Sequence, residues 1–166
     1  MLQIRPASDQ DQSDILAIYN DAVLHTTATF DTEPRSMESQ MEWFRKHKTN
    51  HPVLVAEKEG KIIGWASLSP WSDRCAYDTT VEVSVYLEPA SRGKGIGAEL
   101  LNAVTLEGGK SNNHTVLSRI TSDNFASIRI HEKAGYKTIG VMKEVGFKFG
   151  KFLDVTMMQF IYSNNM

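Results

Sequence analysis

The chain has 166 residues, 41 % apolar and 23 % charged, enough for one globular domain with a real core. A net charge of −2 argues against broad nucleic-acid binding, and the single cysteine, Cys75, excludes an internal disulfide or a cysteine-rich metal site. No apolar run approaches the roughly 20 residues of a membrane span. Met1-Leu2-Gln3-Ile4-Arg5 already alternates as a strand, so no leader is expected and a cytoplasmic location is the default.

Leu2 to Pro6 reads as a short strand stopped by its proline. Ser8 or Asp9 can cap a helix that carries Ile15, Leu16, Ile18, Tyr19, Ala22 and Val23 on one broad face. His25 to Pro34 lacks a helical period and is expected as an ordered loop. Ser36 to Lys48 reads as a second helix, with Met41, Trp43 and Phe44 on its apolar side. Val53 to Glu57 and Ile62 to Leu68 form a hairpin across Lys58-Glu59-Gly60-Lys61. Trp71 to Asp78 is a loop, and Thr80 to Leu87 is the central strand.

A Gly-rich stretch, Arg92-Gly93-Lys94-Gly95-Ile96-Gly97-Ala98, then leads into a helical period at Ile96, Leu100, Ala103, Val104 and Leu106. Glu107-Gly108-Gly109-Lys110 is expected to stop that helix. Thr115 to Thr121 alternates as the fifth strand, and Phe125 to Ala134 is a short helix ended by Gly135. Tyr136 to Val141 and Phe152 to Tyr162 close the chain as strands, with Gly146 to Gly150 between them. The order β-α-α-β-β-β-α-β-α-β-β, without linkers or repeats, is an α+β domain spanning residues 1–166, built on a mixed, mostly antiparallel sheet.

Glycines at alternate positions let main-chain N–H groups close on a ligand without Cβ obstruction, and a helix N-terminus behind them favours an anion. With Arg92 and Lys94 beside it, the natural ligand is a phosphate or pyrophosphate. Gly93 to Ala98 also fits the loose dinucleotide fingerprint G-x-G-x-x-G/A. Five residues nevertheless separate it from its strand, and the loop lies mid-chain. No Walker pattern can be written.

Val83-Ser84-Val85-Tyr86-Leu87, Pro89 and Arg92-x-x-Gly95-x-Gly97 together resemble the acetyl-CoA site of the GNAT-superfamily N-acetyltransferases. Asn124-x-x-Ser127-x-x-x-His131-x-x-x-Gly135-Tyr136 is similar to that superfamily's second signature, N-x-x-[SA]-x-x-x-Y-x-x-x-G-[FY], with a departure at His131. The resemblance covers essentially the whole chain and implies a GNAT fold with acetyl-CoA as co-substrate and no metal. It places Val85, Tyr86 and Leu87 against pantetheine and Arg92, Gly93, Lys94, Gly95, Ile96, Gly97 and Ala98 on the pyrophosphate. Asn124, with Ser127 and Lys133 as weaker candidates, would contact the pantetheine arm.

Glu82 lies opposite the valines of its strand, and a carboxylate there is costly to bury without a purpose. It is the candidate base for the acceptor ammonium; binding the ammonium without proton transfer, or a plain ion pair, are the alternatives. His131 stands where many GNAT enzymes place the tyrosine that protonates the thiolate. An imidazolium could serve there, and a solvated helix-surface histidine is the other reading. Tyr136 is a lesser candidate for the same acid. The five histidines show no metal-ligand spacing.

Phe30-x-Thr32-Glu33-Pro34, Trp71-x-x-Arg74-x-Ala76-Tyr77-Asp78, Thr80-Val81-Glu82 and Asp154-Val155 resemble, more narrowly, the phosphinothricin and methionine sulfoximine acetyltransferases. That likeness implies acetylation of the α-amino group of phosphinothricin, methionine sulfoximine or methionine sulfone. Arg74 would suit a carboxylate or phosphinate, with Phe30, Trp71, Ala76 and Tyr77 walling the pocket and Cys75 among them. Another amine acceptor (a polyamine, an aminoglycoside or a protein N-terminus) and a non-catalytic acyl-CoA sensor are the competing functions. Phe147-Lys148-Phe149 and Phe152 suggest a homodimer in which one protomer completes its partner's pocket.

Overall fold

The computed structural model describes residues 1–47 and 50–163. Seven strands form one sheet: β1 (Leu2–Pro6), β2 (Val53–Lys58), β3 (Lys61–Pro70), β4 (Thr80–Leu87), β5 (Thr115–Thr121), β6 (Lys137–Lys148) and β7 (Lys151–Ile161). Their spatial order is β1-β2-β3-β4-β5-β7-β6, and only β4 and β5 run parallel. Helices α1 (Gln12–His25) and α2 (Met37–Lys46) cover one face, and α3 (Ile96–Gly109) and α4 (Phe125–Lys133) the other.

Alternation along the strands sorts the core into two layers. Val81, Val83, Val116 and Ile120 pack under Leu100, Leu101 and Val104 of α3. Val53, Val55 and Trp65 pack under Ile15, Ile18, Tyr19 and Val23 of α1, with Tyr86 against them. The Tyr19, Trp65 and Tyr86 rings form a cluster at centroid separations of 4.9–6.1 Å.

Local chemistry explains most boundaries. Ser36 caps α2 by accepting the Ser39 N–H at 3.2 Å, and α2 ends at Lys46, so Lys48 of the expected helix lies outside the described residues. Ser8 opens a single 3₁₀ turn, Asp9–Asp11, ahead of α1.

Two expectations are corrected. The helix α3 ends within Glu107-Gly108-Gly109-Lys110 as expected, but without a left-handed glycine stop: neither glycine has a positive φ, and both are close-packing sites, where a Cβ would strike Leu68 and the Tyr162 hydroxyl at Gly108 and the Tyr162 ring at Gly109. Likewise the 146–148 segment is strand, not connection. A bulge at Glu144 (φ 51°), held by Asp154 accepting its N–H at 2.8 Å, restores register, and the hairpin turns only at Phe149-Gly150.

Candidate active site

The site arises where the parallel pair β4–β5 comes apart. Its ladder spans only Thr80↔Thr115, Val81↔Val116 and Glu82↔Leu117, although both strands continue. On the other side of β4, the register with β3 continues to Gly64↔Leu87, and the Glu88 N–H donates to Ile63 at 3.0 Å. Antiparallel strands alternate their N–H groups side to side, so those of Tyr86 and Ser84 face β3 while those of Val85 and Leu87 face the gap. Main-chain donors without a strand partner are therefore presented to a ligand there.

A cavity of about 450 Å³ occupies the gap. It is lined by consecutive residues of β4 (Glu82, Val83, Ser84, Val85, Tyr86) and of β5 (Ser118, Arg119, Ile120, Thr121). Since consecutive strand residues face opposite ways, the cavity passes through the sheet. On the α3–α4 side its wall is Asn124, Ser127 and His131; on the α1–α2 side it is Tyr19 and the Thr27–Asp31 loop.

The expected phosphate turn, Arg92 to Ala98, does not line the cavity, nor does Leu87 of β4. Gly93 (φ 74°) and Gly95 (φ 84°) adopt left-handed conformations, and a Cβ at either would meet no protein atom, leaving the loop's surface open. Gly95 is the N-cap of α3, with Ile96, Gly97 and Ala98 in its first turn. These features fit a pyrophosphate. The basic side chains turn elsewhere: Arg92 donates to Leu87 O at 3.2–3.3 Å and approaches Asp21 at 3.5 Å, while Lys94 donates to Ala90 O at 2.8 Å. Tyr86 contributes its side chain rather than its N–H, and burial raises its phenol pKa. Asn124 caps α4 by accepting the Ser127 N–H at 3.1 Å. Lys133 is exposed and does not line the cavity.

His131 is buried, not on the helix surface. Its Nδ1–H donates to Ser127 O at 2.8 Å, which leaves Nε2 to accept from the Ser118 hydroxyl at 3.1 Å. Burial lowers its pKa below the ordinary 6.5, which favours the neutral imidazole near neutral pH. Tyr136 is a core residue: its hydroxyl pairs with Thr105 at 2.8 Å, and burial raises its pKa.

Glu82 lines the cavity but is paired, accepting from Arg119 Nε at 2.6 Å and Nη2 at 2.5 Å. Phe30 lines the same end. Arg74, Cys75, Ala76 and Tyr77 lie on an exposed 3₁₀ turn, Cys75–Tyr77 and its N-cap, and none lines the cavity. Trp71 is not in the wall but stacks below the Arg119 guanidinium, 5.3 Å from ring centroid to Cζ.

Four residues that sequence reasoning did not single out line the cavity as well. Asp31, which accepts from the Tyr19 hydroxyl, is a second carboxylate there. Ser118 and Arg119 reach it from β5, and Thr121 Oγ1 fastens the loop by donating to Thr27 O at 2.6 Å. Outside the lining, Lys148, buried in the β6–β7 hairpin, donates to Thr29 O at 2.8 Å. The one available signal was the polar Ser118-Arg119 pair between the apolar Val116-Leu117 and Ile120 of β5. Among the described residues, no group of three His, Cys, Asp or Glu is placed to hold a metal.

A splayed parallel pair, open main-chain donors and a Gly-rich turn before a helix are the architecture of an acyl-CoA site. The acetyltransferase (GNAT) family model matches residues 15–136. The chain belongs to the GNAT acetyltransferase family. It is an N-acetyltransferase, with acetyl-CoA as co-substrate. It is 38 % identical over 159 residues to the L-methionine sulfoximine/L-methionine sulfone acetyltransferase of Salmonella typhimurium, covering 95 % of this chain and 93 % of that one. With the phosphinothricin N-acetyltransferase of Streptomyces coelicolor it shares 35 % identity, covering 93 % and 92 % of the two chains. A solved acetyltransferase from Salmonella typhimurium with its cofactor acetyl-CoA superposes with a TM-score of 0.97 at 36 % identity, covering 100 % of this chain and 96 % of that one. Among the described residues of this GNAT chain, no helix is long and apolar enough to cross a membrane.

Proposed function

We propose that this GNAT domain acetylates the α-amino group of a small amino-acid analogue, of the phosphinothricin, methionine sulfoximine or methionine sulfone kind, by direct attack in a ternary complex. The observation that carries the reading is the cavity through the sheet. One side has open main-chain donors, and the other has carboxylates beside Tyr19, Phe30 and Thr29, at the scale of an amino acid. The names of the relatives support the same acceptor class.

Acetyl-CoA supplies a thioester already activated toward an amine. The protein's part is orientation and proton handling. The Val85 and Leu87 N–H groups hold the donor arm in the gap. Glu82 binds the acceptor ammonium and removes its proton, directly or through water, which frees the lone pair for attack. His131 serves the departing thiolate through Nε2, after that nitrogen has taken up a proton, with Ser118 fixing the ring. The chain acts as a homodimer in the cytoplasm. Support for the dimer is the β6–β7 hairpin, which leaves Ile139, Val141, Val145 and Phe147 of the edge strand β6 and Phe152 of β7 at 48–64 % exposure.

The deciding experiment is thiol release from acetyl-CoA with methionine sulfoximine, methionine sulfone, phosphinothricin, spermidine and an aminoglycoside. Turnover confined to the first three is expected; turnover confined to the cationic amines overturns the acceptor class. In Glu82→Gln, kcat/KM should fall about 10²- to 10³-fold and lose its acidic limb. An unchanged pH–rate profile would remove Glu82 from the base role.

A further inference from the structure

Among the described residues, Arg119 is the one cationic side chain lining the cavity, once the neutral His131 is set aside. The other cations near the acceptor side are placed otherwise. Arg74 is exposed on its turn, and Lys148 is tied to Thr29 O behind the loop. The placement of Arg119 follows from strand geometry. Glu82 stands opposite Leu117, and Arg119 is two residues further along β5 on the same face, beyond the end of the ladder. Its guanidinium reaches back across the opening gap to Glu82 and lies over the Trp71 ring.

A guanidinium has five N–H donors in a planar fork, and the Glu82 contact uses the edge formed by Nε and Nη2. The end-on edge, Nη1 with the second Nη2 proton, remains for another planar anion. Glu82 likewise keeps lone pairs on both oxygens. The Arg119 side chain is 53 % accessible, so its free edge is reachable, while Trp71 fixes the plane. A plus charge and a minus charge side by side match the reversed pair on one carbon of an α-amino acid.

We propose that Arg119 is the carboxylate-recognition residue of the acceptor site, and that Arg119 and Glu82 together read the α-carboxylate and α-ammonium of a zwitterionic amino acid. This deepens the acceptor assignment made above and rests on it. The pair also sets selectivity. An amine without a carboxylate leaves the free edge of Arg119 unpaired, and a polycation competes with Arg119 for Glu82 against its charge. Arg74 is then not needed for anion recognition.

The test compares methionine sulfone with its α-carboxamide, which differ only in the anion, in the full-length enzyme and in Arg119→Met and Arg119→Lys. The native enzyme should prefer the acid by about 10- to 100-fold in kcat/KM. Arg119→Met should bring that preference within about threefold through a raised acceptor KM, with the KM for acetyl-CoA unchanged. Arg119→Lys, which keeps the charge but loses the fork, should retain an intermediate preference. Thermal melting and acetyl-CoA binding verify that each variant is folded. An undiminished preference in folded Arg119→Met overturns this inference alone. A native enzyme that acetylates neither compound overturns the acceptor assignment and this inference with it.

Discussion

The cavity and the Gly-rich turn outside it are built from different parts of the polypeptide. On the side proposed for the donor, contiguous segments supply backbone: the end of β4, which reaches the cavity through Val85 and Tyr86, and, outside the cavity lining, the Gly93–Gly97 turn and the first turn of α3. On the acceptor side, side chains converge from the 27–31 loop, β4 and β5, and the β6–β7 hairpin braces the loop from behind through Lys148. A backbone site needs a particular chain conformation and tolerates many side chains. A convergent site needs particular side chains, and one substitution on any of several elements re-aims it. The difference explains how one donor can serve a fold whose acceptors vary.

Gly95→Val should break the comparison on the donor side and give the largest effect. A β-branched residue at φ 84° is strained by about 1–3 kcal/mol, and its side chain would project where the protein leaves open space for the ligand. The KM for acetyl-CoA should rise about tenfold or more, with the acceptor KM unchanged within about twofold. Equal damage to both constants would mean that the two ends are not independent.

Gly146→Ala probes the other end. A Cβ there would run into the Phe30 ring, and Phe30 is 39 % exposed and free to swing aside. Stability should change by less than about 1 kcal/mol. The moved ring should nevertheless lower acceptor kcat/KM roughly threefold to tenfold and leave the acetyl-CoA KM alone. Steady-state titration of each substrate separates the two outcomes.

The smallest effect concerns pH and stability. Burial lowers the pKa of His131 and of His47 below the ordinary value of 6.5, so between that value and the folded one the unfolded chain binds protons that the folded chain does not. Stability should therefore be flat above about pH 6.5 and fall as the pH drops below it. His131→Leu should flatten the urea midpoint between pH 7.5 and 5.5; an unchanged slope would place the titration elsewhere.

Most of the fold and the donor side could be read in the chain order. Strand alternation, the Ser36 cap, the Gly-rich turn and the helical period after it are local features, and their conformations depend on neighbours a few residues away. The role of the glycines at 108 and 109 was hidden for the opposite reason: a helix stop and a close packing site call for the same residue, and only Leu68 and Tyr162, far from them in the chain, distinguish the two. The β6–β7 register was equally hidden, because the bulge at Glu144 depends on Asp154 across the hairpin.

What the sequence by itself determined was the family fold, the Gly-rich turn before α3 and the choice of Glu82 and His131, both of which line the cavity. Their chemical states were decided by tertiary structure. His131 is neutral because α4 and β5 bury it between Ser127 and Ser118. Glu82 is paired because β4 and β5 part just where Arg119 can span the gap. Charge and protonation depend on distance and desolvation between segments far apart in the chain, and those quantities exist only once the sheet has formed.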